Sequence, residues 1–172
     1  MLTRFEIAAC EPVLDGKHFG AAGAYEQLTG SAYFAFDPEH RHNQAVVDLA
    51  LAPRNAAGLV ECRADIWILQ PVDRALGNGN LFYYVVNRGR KGALSTFNLA
   101  EGANAPKTEA EFGDGLLLEA GYVVAACAWQ ADVPPESDED FNLLTLDAPM
   151  APGVQGPVGC EILVDEPRQI HS

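Results

Sequence analysis

A mixed α/β sheet, β-rich in its first half and followed by a strand–helix–strand (βαβ) unit, is the fold class this sequence predicts, on three observations. Residues 60–70 alternate, with Val60, Cys62, Ala64, Ile66 and Ile68 on one face and Glu61, Arg63 and Asp65 beginning the other, the period of a strand. Two uninterrupted apolar runs, residues 81–86 and 122–129, suit strands covered on both faces, as in a parallel sheet. Between them, Thr108-Glu109-Ala110-Glu111 matches a capping box, Phe112, Leu116 and Ala120 recur at helical spacing, and Gly121 stands where the helix would stop. Parallel neighbours need such a crossover.

The elements follow in order. Arg4-Phe5-Glu6-Ile7 alternates as a half-buried opening strand would. Residues 12–24 are glycine-rich and read as a loop. Residues 25–36 favour strand, with Thr29-Gly30 suggesting a bulge or turn inside it. Asp37 to Asn43 is a polar turn, and Ala45 to Leu51 reads as a short returning strand ended by Pro53. Gly77 to Asn80 is the turn into the βαβ unit. Its first strand stops at Asn87-Arg88-Gly89-Arg90-Lys91-Gly92, which holds three of the chain's eleven basic residues. Ligands in such sheets sit beyond the carboxyl ends of the strands, which places residues 87–92 and 130–134 on one rim. Further on, residues 141–146 and 160–164 read as strands. The expected organisation is a single domain: a β-rich section at 1–76, the strand–helix–strand unit at 77–134, and an irregular β extension at 135–172.

Composition narrows the function classes. Hydrophobic residues make up 48% and charged residues 20% of 172, as in an ordinary globular domain with a core. A formal charge of −13 argues against nucleic acid, which needs a cationic footprint, and against an anionic membrane surface. Asp132, Glu136, Asp138, Glu139 and Asp140 cluster in one segment that reads as a solvated acidic loop rather than a calcium loop. Cys10, Cys62, Cys127 and Cys160 have no zinc spacing and read as reduced thiols, at least two of them buried. His40 and His42 lie two apart on a polar turn, which does not fix a coordination geometry, so neither a metal nor another cofactor is expected. No run approaches the ~20 apolar residues of a membrane span, and the opening residues lack the pattern of a secretory leader. The expectation is a cytoplasmic protein.

Several of these pieces resemble a known family. A strand ending in Asn87-Arg88-Gly89, then a helix leading into Gly121-Tyr122 and Trp129-Gln130, is similar to the third strand, first helix and fourth strand of α/β-hydrolases. Together with residues 19–26, Leu51-Ala52-Pro53-Arg54-Asn55-Ala56 and Pro71-Val72-Asp73, the pattern resembles a largely uncharacterised bacterial group of α/β hydrolase domain-containing proteins. Its members are several times longer, so the resemblance implies their N-terminal portion. It also implies a serine esterase acting on small carboxylic esters. Such an enzyme needs Ser on a G-x-S-x-G elbow, then an acid and a His. Ser31, Ser95, Ser137 and Ser172 do not stand in that motif, and family order places all three groups further along. What the resemblance leaves here is half an oxyanion hole: a backbone N–H of Asn87, Arg88 or Gly89. Arg88, Arg90 and Lys91 would then attract an acidic group, and Trp129 and Gln130 would line a substrate pocket. The alternatives are that Gly89 only permits a tight turn, the cations neutralise nearby acids, and Trp129 seals the sheet. Trp67 reads as core. Two functional readings remain: the esterase portion, whose unpaired sheet edge would invite self-association, and a non-catalytic β-rich binding or interaction module.

Overall fold

The structure, a computed structural model, describes residues 1–133, 142–157 and 159. β1 (Leu2–Pro12), β2 (Tyr25–Phe36) and β3 (Val60–Pro71) form an antiparallel meander, with β2 and β3 paired along their whole length from Tyr25↔Pro71 to Phe36↔Val60. β4 (Leu81–Tyr83) and β5 (Val123–Cys127) run parallel, with Leu81 opposite Val123 and Tyr83 opposite Ala125. β5 joins the meander antiparallel to β3, so the sheet order is β1-β2-β3-β5-β4, and β6 (Leu146–Asp147) pairs with β3 beside Arg63 and Ala64. The co-directional neighbours expected of residues 81–86 and 122–129 are present.

One face of the sheet is covered over β3 and β5, while β1 is exposed along its whole length. Trp67, Leu69, Val124 and Ala126 point into a core closed by Val13, Phe19, Phe112 and Leu118. Three short helices lie in this layer, α1 (Ala93–Phe97), α2 (Glu109–Phe112) and α3 (Leu116–Glu119). Trp67 is core, as read. β4 is not covered on both faces: Leu81 and Tyr83, and Val85 just beyond it, are exposed, because the alternating residues turned away from the helices meet no second layer among the described residues.

The crossover also differs from the single helix expected at 108–120. The Glu111 carboxylate reaches back to the Thr108 N–H at 2.8 Å, as a capping box requires. The helix then breaks at Gly113 and Gly115, both at positive φ. A Cβ on Gly113 would stand 2.0 Å from the Asn98 carbonyl oxygen, so the chain bends there to admit α1. Gly121 ends α3 at φ 79 as foreseen.

Three smaller expectations are corrected. Residues 45–51 form turns and a 3-10 turn at Leu49–Leu51 rather than a strand; they belong to the β2–β3 connection, have no strand alongside, and leave Val46 and Val47 exposed. The irregularity expected at Thr29-Gly30 lies in β1, between Ile7 and Ala9, while β2 runs uninterrupted. Cys10 is exposed and Cys62 and Cys127 are half-buried, Cys127 packing at the margin of the core rather than inside it. Of the later strands, β6 covers only Leu146–Asp147; Phe141, residues 160–164, Cys160 and the acids from Glu136 to Asp140 lie outside the described residues.

Tyr25 ties the meander to the crossover. It is fully buried, and its hydroxyl is shared between the carbonyls of Leu118 (2.9 Å) and Tyr122 (3.0 Å), at the end of α3. Burial pushes its phenol up to about 12. The folded state therefore holds a proton that the unfolded chain releases near pH 10, and the stabilisation, complete below pH 10, is lost as pH rises toward 12. Alkaline titration of the unfolding free energy should fall by up to about 3 kcal/mol across this window. Tyr25→Phe should flatten that slope and lower stability at pH 7 by about 1 kcal/mol; an unchanged alkaline slope in the variant would refute the assignment.

Candidate functional site

Because β4 and β5 run the same way, the chain leaves both at one rim. β4 leads through Val85 and Val86 into residues 87–92, where Arg88 (φ 47) and Gly89 (φ 74) take left-handed backbone conformations. The Arg90 N–H closes the turn onto the Asn87 carbonyl at 3.1 Å. β5 leads into Trp129 and Gln130. The two exits are joined directly: the Arg88 N–H donates to Gln130 Oε1 at 2.6 Å, and the Trp129 indole N–H donates to the Val86 carbonyl at 2.6 Å. Residues 87–89, 129 and 130 thus converge.

A third segment supports this rim from below. The Leu144 N–H donates to the Gly89 carbonyl at 3.0 Å, and the Leu146 N–H to the Gln130 carbonyl at 3.1 Å. Leu144 itself is buried in the core. Lys91 is also buried; its ammonium donates to the Asn142 carbonyl, and its backbone N–H to Asn104 Oδ1 at 2.9 Å.

Polarity along the rim is mixed. Arg88 pairs with Asp132 at 3.1 Å, with both side chains more than half exposed, a pair worth little in solvent. Arg90 lines an open groove of about 1120 Å³ between β1, β2 and the 102–109 loop, together with Glu11, Asp15, Asn104 and Lys107. A smaller cleft of about 440 Å³ adjoins it, lined by Ser31, Arg63, Asp65, Lys91 and Thr145. Inside it, Arg63 Nε donates to Ser31 Oγ at 3.0 Å and its guanidinium pairs with Asp65 at 2.6 Å. The Thr145 hydroxyl and N–H both donate to the other Asp65 oxygen.

This network escapes sequence reading. Arg63 and Asp65 look like the solvated end of an alternating strand, and only the β2–β3 register, with Ser31 opposite Asp65, sets them beside Ser31. The relevant signal is a serine and an ion pair on one face of neighbouring strands.

None of the nucleophilic side chains described is activated. Ser31 Oγ accepts from Arg63 rather than facing a base, and Ser95, which falls in α1, donates to the Gly92 carbonyl at 3.1 Å. Burial pushes the Cys127 and Cys62 thiols up, and a hydrogen bond with Glu26 does the same to Cys10, which disfavours the thiolate. Ser137, Ser172 and His171 lie outside the described residues. His40 and His42 sit exposed on their turn with rings 5.2 Å apart, and among the described residues no group of three or more His, Cys, Asp or Glu is placed to hold a metal ion. No helix among them is long and apolar enough to cross a membrane. No family model matches the chain, and no curated protein or solved structure matches it.

Proposed function

We propose that this chain is the amino-terminal sheet portion of an α/β-hydrolase-like protein, a serine esterase by type, and that it frames an acyl site without supplying the nucleophile. The observation that carries the reading is the contact across the two parallel strand ends, Arg88 N–H to Gln130 Oε1 at 2.6 Å. A backbone N–H at the carboxyl end of such a strand is placed as an oxyanion donor would be. The side-chain amide oxygen of Gln130 stands where the carbonyl oxygen of an ester would accept the same bond. One donor of this kind is worth roughly 3 kcal/mol in transition-state stabilisation. Support also comes from the order β2-β3-β5-β4, in which β3 is antiparallel to both neighbours and β4 and β5 are co-directional. Small carboxylic esters are the substrate class. Arg88 and Arg90 would favour those with an acidic group, and Trp129 would pack against the acyl or alcohol part.

Two measurements test this. The 172-residue chain should turn over a simple aryl ester no faster than buffer, and serine-dependent turnover blocked by an organophosphonate would refute the missing nucleophile. Reading the coding DNA downstream should reveal G-x-S-x-G followed by an acid and a His; a downstream sequence without it in any frame would remove the esterase reading. A non-catalytic binding module is the second reading, favoured by the open groove at Arg90.

A further inference from the structure

Among the described residues the sheet has two outer strands, β1 and β4, and they are built differently. β1 carries Arg4, Glu6 and Glu11, shifts register at Leu2/Arg4 and Ile7/Ala9, and ends in Pro12. Charge, bulges and proline blunt an edge against pairing. β4 has none of these. Residues 81–86 contain no charge, glycine or proline, and Leu81, Tyr83 and Val85 are 61%, 51% and 62% exposed. The even-numbered backbone groups face β5: the Asn80 carbonyl accepts from Val123, and the Tyr84 N–H donates to Ala125. By strand alternation the N–H and C=O groups of Leu81 and Tyr83 face outward. Those of Val85, just beyond the strand, continue the row, since the Val86 carbonyl is again turned toward the β5 side, where it accepts from Trp129. A row of alternating donors and acceptors matches a strand, not a helix or an apolar ligand.

We propose that β4 pairs antiparallel with β4 of a second copy of this chain, about a two-fold axis through Tyr83. In that register Tyr83 faces its own counterpart and Leu81 faces Val85 of the partner subunit. All three are outward-bonding positions, so the pairing forms about six backbone hydrogen bonds. The edge is self-complementary, as a two-fold interface must be: every apolar side chain meets an apolar one. Arg88, just beyond the strand, is engaged by Asp132 of its own chain and does not set like charges against each other. The proposal concerns the 172-residue chain and stands independently of the esterase reading.

A pairing this short belongs with weak, transient interfaces, so dimers should form on the order of 10 µM. The total charge of −13 on each copy makes association stronger in salt. Sedimentation velocity on the chain from about 1 to about 200 µM, a range bracketing that estimate, should show a monomer–dimer equilibrium. Leu81→Lys with Val85→Lys sets two lysine pairs face to face and should weaken dimerisation by at least about tenfold, as should Leu81→Glu with Val85→Glu. Mixing the two variants should restore the dimer. Both positions are solvent-exposed, so far-UV circular dichroism and melting of each variant should match the parent. A strictly monomeric parent, open-ended aggregation, unchanged association of the lysine variant, or failure of the mixture to recover would each overturn the proposal.

Discussion

Asn98→Leu should lower the unfolding free energy by about 3 kcal/mol, the largest loss expected from one near-isosteric substitution in this chain. Asn98 is fully buried at the end of α1. Its Nδ2 donates to the Phe112 carbonyl at 3.2 Å, and its Oδ1 accepts from the Leu117 N–H at 3.0 Å. Its backbone carbonyl accepts from the Asp114 N–H at 2.8 Å. One side chain therefore satisfies the last carbonyl of α2 and an early N–H of α3, where the glycine break leaves both without helical partners. Leucine fills the same space but strands a buried acceptor and a buried donor, each costing about 1–3 kcal/mol. Against a total of roughly 5–15 kcal/mol that is a large share. The melting temperature should drop by about 6–12 °C, and the urea midpoint should fall with an unchanged slope. Leu99→Ala, at the neighbouring position that is 83% exposed, should stay within about 0.5 kcal/mol. Equal effects at the two positions would refute the role given to the Asn98 amide.

The same break shows where sequence reading reached its limit. Phe112, Leu116 and Ala120 fit a helical period, yet Leu116 and Ala120 are exposed, while Leu117 and Leu118 are buried. The period ran through two glycines whose positions are set by α1, a partner no local pattern reveals. Residues 60–70 and the two apolar runs were legible because strand period and residue preference are local. Their pairing partners followed from connection rules. What covers each strand is not local, hence the error over Leu81, Tyr83 and Val85: an apolar run is compatible with two covered faces but does not provide the second layer. Val46 and Val47 carry strand propensity without a neighbour, and propensity alone does not hold a strand. At the rim, parallel strands foretold that residues 87–92 and 130–134 would lie at the same end of the sheet. The Gln130 rotamer that reaches the Arg88 N–H, and the docking of Leu144 beneath Gly89, depend on long-range placement that spacing does not encode.

Gly89→Ala should detach that docking. Gly89 has φ 74, and a Cβ there would lie 2.5 Å from the Leu144 carbonyl oxygen and 2.8 Å from its nitrogen. Both atoms are backbone, so no rotamer change relieves the overlap; the loop and residues 142–146 must separate, breaking the Leu144 N–H to Gly89 bond and loosening a buried leucine. Two costs are mixed in this variant, and Gly79 separates them. It has nearly the same φ of 76, with nothing within 4 Å of an added Cβ. Gly79→Ala should therefore report the backbone strain alone, about 1 kcal/mol. Gly89→Ala should cost about 3 kcal/mol, because lost packing and an orphaned buried N–H add to that strain. Amide exchange locates the difference: protection of the Leu144 N–H should fall by about 100-fold in Gly89→Ala and stay near the parent value in Gly79→Ala. If both variants lose the same stability and Leu144 remains protected, the rim loop is held by its own turn, and the segment beneath it plays no part in positioning Arg88.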